Sequence, residues 1–299
     1  MGSLFGGYLS QYNDVWLVDV NENKISRINR EGVIILEPDG KQNTYYPKIV
    51  KSGVDLGEMD LILVFVKSMF SANALTENKS LIGKNTFVMS LQNGIGHEDT
   101  LLDFIPIERI IIGATQHNSS ITKERQIHHG GGGKTNIGLL NGNSENLRSI
   151  ADSFSKCGIE TFISDNVKMF IWNKLFLNAS ASVLTAVLQV KLGFILDNKY
   201  AGNLMKQLIL EAVEVANADG MYFDSDDVYK NVKEVLENVR EGYTSIYADI
   251  KKGISTEVDT INGSIVKKAK QHGVSVPSHR FIVEVVHALE GKKKQEAMS

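Results

Sequence analysis

At 299 residues, with 42% hydrophobic and 22% charged side chains, the chain is long enough for two domains and a sizeable core. Its formal net charge of −3 argues against general nucleic-acid binding, and its single cysteine, Cys157, excludes an internal disulfide. One cysteine fits a reducing compartment, so a cytoplasmic location is expected, with Cys157 as a small buried hydrophobe. No apolar run approaches the ~20 residues of a membrane span, no charged-then-apolar leader is visible, and no metal site is expected.

The chain opens on Met1-Gly2-Ser3-Leu4-Phe5-Gly6-Gly7-Tyr8-Leu9-Ser10. This reads as a small-residue helix of the kind that follows a phosphate-binding glycine turn. Val15–Val18 is a strand and runs into Asp19. Residues 22–30 are helical. Val33–Leu36 and Thr44–Pro47 predict a hairpin turning at Asp39-Gly40. Residues 61–66 (LILVFV) lack alternation, as expected of a strand buried on both faces. Thr86–Leu91 and Arg109–Thr115 read the same way. Gln126–Leu140, around Gly130-Gly131-Gly132-Gly133, predicts a second hairpin. Ser144–Lys156 is a helix and Ile159–Ile163 a last strand.

From about Asp165 the strands stop. Val167–Val190, Tyr200–Asp219, Asp226–Arg240, Tyr243–Lys252, Glu257–His272 and Ser278–Leu289 all carry helical periodicity. Asp219-Gly220 and His272-Gly273 mark helix ends, and Pro277 opens the last helix. The expected architecture is α/β: a Rossmann-like doubly wound parallel sheet over residues 1–164, then an all-helical domain over 165–299. The apolar helical faces of that second part permit a homodimer.

In a doubly wound sheet, ligands sit beyond the carboxyl ends of the strands. Residues 61–66 end at Lys67, either a solvated strand end or a ligand contact. Thr86–Leu91 ends at Gln92-Asn93-Gly94-Ile95-Gly96, either a turn or part of a site. Asp19, placed after the glycine helix, is suited to accept hydrogen bonds from ribose hydroxyls and to repel a 2′-phosphate, which favours NADH over NADPH. A simpler role at the start of the next helix, with Asn21 or Asn23 as cap, stays open. Lys24 and Arg27 lie close by, so a 2′-phosphate also stays open.

The strongest constellation lies in Trp172-Asn173-Lys174-Leu175-Phe176-Leu177-Asn178-Ala179-Ser180-Ala181-Ser182. Lys174, Asn178 and Ser182 recur every four residues, on one face of a helix. A lysine in a largely buried helix is costly unless it has a partner or a task. Partly desolvated, it can serve as a general acid near neutral pH. Snorkelling beside two polar residues at a helix crossing is the alternative. A second constellation runs from Thr244 and Ser245 through Asp249, then from Thr256 and Glu257 to Asn262-Gly263. Glu257 falls in a first helical turn, where capping by Ser255 or Thr256 and the helix dipole explain an acid without further function.

These stretches, together with Val66-Lys67, Leu91 through Gly96, Thr185-Ala186 and His272-Gly273-Val274-Ser275-Val276-Pro277, resemble the ketopantoate reductase (2-dehydropantoate 2-reductase) family over nearly the whole chain. The resemblance implies NAD(P)H-dependent reduction of 2-dehydropantoate to pantoate, on the route to pantothenate and coenzyme A. It implies Lys174 as proton donor to the ketone oxygen and Asn178 as a substrate ligand. Ser182 would stand beside them, and Ser245 would hold the substrate carboxylate. Asn93 would lie between nicotinamide and substrate, and Lys67 and Glu257 would contact the cofactor. Gly2 would be the last glycine of the phosphate turn. The family places its substrate, a small 2-keto acid, in the cleft between two domains.

Three departures matter. Ser182 stands where the family usually has a second asparagine, and its shorter side chain cannot make the same pair of hydrogen bonds, so a related 2-keto acid is an alternative substrate. Asp19 stands near the position where many members carry a basic residue selecting NADPH. The family's first strand and first glycines are missing, which leads to the expectation that Met1 is an internal methionine and that the natural chain starts about a dozen residues earlier. Two further readings remain: a truncated, non-catalytic remnant that cannot bind a dinucleotide, and a dehydrogenase of the same architecture acting on hydroxy acids or opines.

Overall fold

The computed structural model describes residues 1–122 and 126–298. Its contacts divide the chain into two compact units. The first comprises residues 1–92 and 97–170, the second residues 93–96 and 171–299.

The first unit is α/β. Its elements are α1 (Gly2–Leu9), β1 (Trp16–Val18), α2 (Glu22–Glu31), β2 (Val33–Leu36), β3 (Gln42–Tyr45), β4 (Lys48–Val50), β5 (Leu61–Val64), α3 (Ser71–Glu77), β6 (Phe87–Ser90), α4 (His97–Leu102), β7 (Ile110–Thr115), β8 (Asn118–Ile121), β9 (Ile127–Gly131), β10 (Thr135–Leu139), α5 (Arg148–Lys156) and β11 (Thr161–Ile163). The largest sheet runs β11-β10-β7-β6-β5, with β5, β6 and β7 parallel and β10 antiparallel to β7. A second sheet pairs β1 with β4 in parallel, and a third runs β3-β2-β9-β8. Unbroken aliphatic runs form the largest sheet because it is covered on both faces; Val88, Ile110, Ile111 and Ile137 have no exposed surface. Leu4 and Phe5 bury the inner face of α1 in the same core, where Cys157 also lies. Burial pushes the Cys157 thiol up, as befits a packing residue.

Asn21 caps α2 by accepting the Lys24 N–H at 3.0 Å, so of the two cap candidates it is Asn21 that acts. The β2–β3 hairpin forms as expected, with the Glu37 N–H donating to Lys41 O at 2.8 Å and Gly40 at φ +84° in the turn. The expected second hairpin does not form. β9 pairs with β2 and β8, whereas β10 pairs with β7 and β11, so the four glycines 130–133 carry the chain from one sheet to another. Gly131, at φ +141°, takes a conformation that side chains disfavour. The antiparallel partner of β9 is β8, a polar strand that apolar alternation does not reveal.

The second unit is helical. α6 (Val167–Leu177), a π-turn over Asn178–Ser182 and α7 (Val183–Leu188) make one continuous helix. Over Val167–Leu188 its mean hydropathy is 1.2, the length and composition of a membrane-crossing helix, contrary to the expectation that no segment reaches that length. Its most apolar window is 61% buried and carries Trp172 and Phe176 in the core, as expected of a central helix in a globular bundle. Then follow α8 (Leu192–Asp197), α9 (Lys199–Ala218), α10 (Ser225–Asn238), α11 (Ser245–Lys252), α12 (Val258–His272) and α13 (Pro277–Met298). Asn198, Asp224 and Thr244 cap α9, α10 and α11 with side-chain oxygens. Gly253 and Gly273 close α11 and α12 in the left-handed region. The start of α13 is held by Glu211, a buried carboxylate accepting the Ser278 and His279 N–H groups at 3.1 Å.

Candidate active site

Within the helical unit, Lys174, Asn178 and Ser182 lie on the continuous central helix, with the last two at the ends of its π-turn. Ser182 Oγ donates to Asn178 Oδ1 at 3.4 Å. Lys174 is half-buried, and desolvation lowers its pKa to about 8, the Glu257 carboxylate acting in the opposite direction. The ammonium is therefore mostly protonated at pH 7 yet able to release its proton near neutrality, the condition for a general acid.

The start of α11 is tied to the same segment. The hydroxyls of Thr185 and Thr244 lie 2.8 Å apart, and Thr185 donates to Ser182 O at 2.7 Å. Thr244 also accepts the Tyr247 N–H at 3.2 Å. Ser245, the first residue of α11, is exposed. Its hydroxyl, with the Ser245 and Ile246 N–H groups of that first turn, suits a carboxylate. Both threonines fall in stretches that the sequence marks, Thr185-Ala186 and Thr244 onward, but the sequence assigns neither of them a role. Their signal was present only in part, since Thr244 has the cap position and Thr185 a helical offset from Ser182.

Glu257 stands one residue before α12, at its N-cap, and not in the first turn as the sequence suggested. Its side chain makes no capping bond; the Val258 N–H is taken by Thr256 Oγ1 at 3.2 Å. Thr256 thus acts as a cap at this end of the helix. Its own N–H donates to Glu290 Oε1 at 2.6 Å. The Asn93 loop packs on this same end of α12. The Ile95 N–H donates to Thr260 O at 3.2 Å, and Gly94, at φ +101°, lies so close that a Cβ would overlap that carbonyl. The spacing of Asn93 from Glu257 is thus set by a backbone contact that only glycine permits.

Within the α/β unit, Gly2 opens α1, whose first turn has no side-chain cap. Asp19 follows β1 and accepts from Lys24 Nζ at 2.5 Å and from the Asn21 N–H at 3.0 Å. Lys67 follows β5 and precedes a 3-10 turn over Ser68–Phe70. Gln92 braces the ends of β5 and β6, donating to Val66 O at 2.6 Å and to Ser71 Oγ at 2.9 Å while accepting from Ser90 Oγ at 2.9 Å. Gly2, Asp19 and Lys67 thus belong to the first unit, and Asn93, Lys174, Asn178, Ser182, Ser245 and Glu257 to the second. Among the described residues there is no cluster of His, Cys, Asp and Glu able to hold a metal ion.

Comparison with known proteins identifies the family. The family model described as Ketopantoate reductase PanE/ApbA matches residues 1–142, and its C-terminal counterpart residues 166–290. The 2-dehydropantoate 2-reductase of Pyrococcus abyssi is 32% identical over 299 residues, covering 98% of this chain and 97% of the relative. That of Halobacterium salinarum is 28% identical over 291 residues, covering 96% and 94%. Among solved structures, a D-mandelate dehydrogenase with NADH and anilino(oxo)acetate superposes with a TM-score of 0.92 at 31% identity, covering 98% of this chain and 96% of that one. The 2-dehydropantoate 2-reductase of Geobacter metallireducens shares the fold with a TM-score of 0.88 at 24% identity, covering 95% of each chain.

Proposed function

The chain belongs to the ketopantoate reductase family, and on that premise we propose that it reduces a 2-keto acid to its 2-hydroxy acid with NAD(P)H, 2-dehydropantoate being the first substrate to test. The observation that carries this reading is Lys174: a lysine half-buried in an apolar helix, with its pKa brought down to about 8 beside Glu257 and two helical turns from Ser182.

The residues of the first unit fit a dinucleotide. The uncapped first turn of α1 presents N–H groups suited to phosphate, Lys67 adds a cation at the carboxyl end of a parallel strand, and Asp19 offers a carboxylate for ribose hydroxyls. When bound, the reduced nicotinamide supplies the hydride that the keto carbon accepts. The remaining work falls to the chain's own side chains. Lys174 holds a proton at the keto oxygen and its charge stabilises the alkoxide. Asn178 orients the substrate, Ser245 receives its carboxylate, and Glu257 keeps Lys174 charged against the desolvation that surrounds it. Asn93, beside the Gly94 contact, takes the role of contacting both substrate and nicotinamide in this reading.

The test is loss of NADH or NADPH absorbance with 2-dehydropantoate. Turnover by the wild type that disappears in Lys174→Ala supports the reading. No turnover with any short 2-keto acid, together with no binding of either dinucleotide, would favour the non-catalytic remnant.

A second reading has its own support. Ser182 in place of the family's second asparagine, Asp19 leaning to NADH, and the similarity to a D-mandelate dehydrogenase solved with NADH all favour a bulkier 2-keto acid. The keto acid corresponding to mandelate belongs in the same assay, and a higher kcat/KM for it than for 2-dehydropantoate would select this reading.

A further inference from the structure

A π-turn displaces one backbone hydrogen bond. Over Asn178–Ser182 the Val183 N–H reaches back to Asn178 O, five residues away. In an unbroken α-helix that N–H would belong to Ala179 O. The Ala179 carbonyl, on a residue only 1% exposed, loses its regular partner inside the core. A buried orphan carbonyl must be satisfied from elsewhere.

Asn262 satisfies it. From α12, its Nδ2 donates to Ala179 O at 2.7 Å. The amide orientation is unambiguous, because a carbonyl can only accept. The second Nδ2 proton is directed at His279 Nδ1, 3.0 Å away on α13. That nitrogen can accept only if the proton of His279 sits on Nε2, and Nε2 indeed lies 2.9 Å from Leu208 O, where it donates. Both Asn262 and His279 have no exposed surface, and burial lowers the His279 pKa, keeping the ring neutral in this tautomer. The chain of bonds runs from α9 through α13 and α12 to the π-turn. One atom is left over: Asn262 Oδ1 is buried with no hydrogen-bond partner. An apolar residue at 262 would avoid that cost, so the amide is retained for what its nitrogen does.

We propose that Asn262 is a positioning residue for substrate binding, pinning the π-turn so that Asn178 and Ser182 stay in register with Lys174. This rests on the reading of those three side chains as the substrate-facing set. Without the pin, the Val183 N–H can return to Ala179 O, the helix reverts to α geometry, and residues on either side of the turn rotate relative to one another. A π-turn adds one residue to a helical turn, so its loss rotates Lys174 against Ser182 by about 100°.

The experiment compares Asn262→Leu with wild type in three measurements. Expected is a kcat for the keto acid lowered about 10- to 100-fold, the scale on which ~1 Å of misplacement acts, with the dissociation constant for NADH unchanged within about twofold. Hydrogen exchange of the amides over residues 178–183 accelerates while that of α9 and α10 does not. Should Asn262→Leu fail to fold, His279→Phe leaves the amide in place but removes its orienting acceptor, and the same changes are expected at smaller size. Unchanged kcat and unchanged exchange over 178–183 would overturn the proposal, as would an equal loss of NADH affinity and protection throughout the chain. If wild type turns over no keto acid, the functional reading fails, and the exchange data still decide whether Asn262 holds the turn.

Discussion

Lys174 allows the sharpest test of the reasoning. Its pKa falls from 10.5 to about 8, chiefly through desolvation, with Glu257 opposing. A drop of that size makes deprotonation roughly 300-fold easier than for a solvated lysine, each unit being a factor of ten. If the protonated form donates to the keto oxygen, kcat/KM for reduction is near its maximum at pH 7. It halves near pH 8 and falls about tenfold per unit above that, leaving roughly 1% at pH 10. A solvated lysine would hold the rate flat to about pH 10. Replacing Glu257 by Gln removes the contribution that raises the lysine pKa, so the descending limb moves to lower pH. The assay is NADH or NADPH oxidation between pH 6 and 10 under kcat/KM conditions, with cofactor binding measured separately at each pH. A flat profile to pH 10, a limb that moves to higher pH in Glu257→Gln, or undiminished turnover in Lys174→Ala would each refute the assignment.

Gly94→Ala should slow the reaction and lower the denaturation midpoint together, because the methyl group meets Thr260 O and the φ of +101° disfavours a side chain; the backbone strain alone is worth about 1–3 kcal/mol. Asp19→Ala should raise affinity for NADPH relative to NADH about tenfold, by freeing Lys24 from its 2.5 Å ion pair and removing an anion; fluorescence titration with both cofactors checks it, and an unchanged ratio would count against Asp19 as the selector. Stability should decline in acid. Burial holds the pKa of His117 and of His279 below the ordinary histidine value. The unfolded chain therefore takes up protons that the folded chain refuses as pH falls below about 6.5, and each such group costs up to about 1.4 kcal/mol per pH unit until its folded-state pKa is reached. Urea midpoints from pH 8 to 5 should show the decline, and His117→Gln should reduce its slope; a midpoint independent of pH would contradict it.

Much of this was legible in the residues. Strands 61–64, 87–90 and 110–115 declare themselves by unbroken aliphatic character, and the helices after 165 by their period. Lys174, Asn178 and Ser182 were visible as a stacked set because i, i+4 spacing is a local property. What stayed hidden depends on contacts distant in sequence. β9 and β10 flank a glycine run that looks like a turn, yet they pair not with each other but with other strands, β9 with β2 and β8 and β10 with β7 and β11. The π-turn has no mark in Asn178-Ala179-Ser180-Ala181-Ser182, since nothing local says which carbonyl an N–H will choose. Glu257 looked like a first-turn acid because the helix could begin one residue earlier; Thr256, capping from just outside, decides otherwise.

The sheets described for the first unit also bear on how the protein must be handled. β1 pairs only with β4, and β5 only with β6, among the described residues. Each strand therefore carries a row of backbone donors and acceptors along one border, and in β5 that border belongs to the aliphatic run Leu61-Ile62-Leu63-Val64. Such borders recruit strands from neighbouring molecules. Concentrated samples should accordingly gain intermolecular β-structure with time, measurable as light scattering and a growing infrared band. An added apolar strand peptide that shields the borders should delay its appearance.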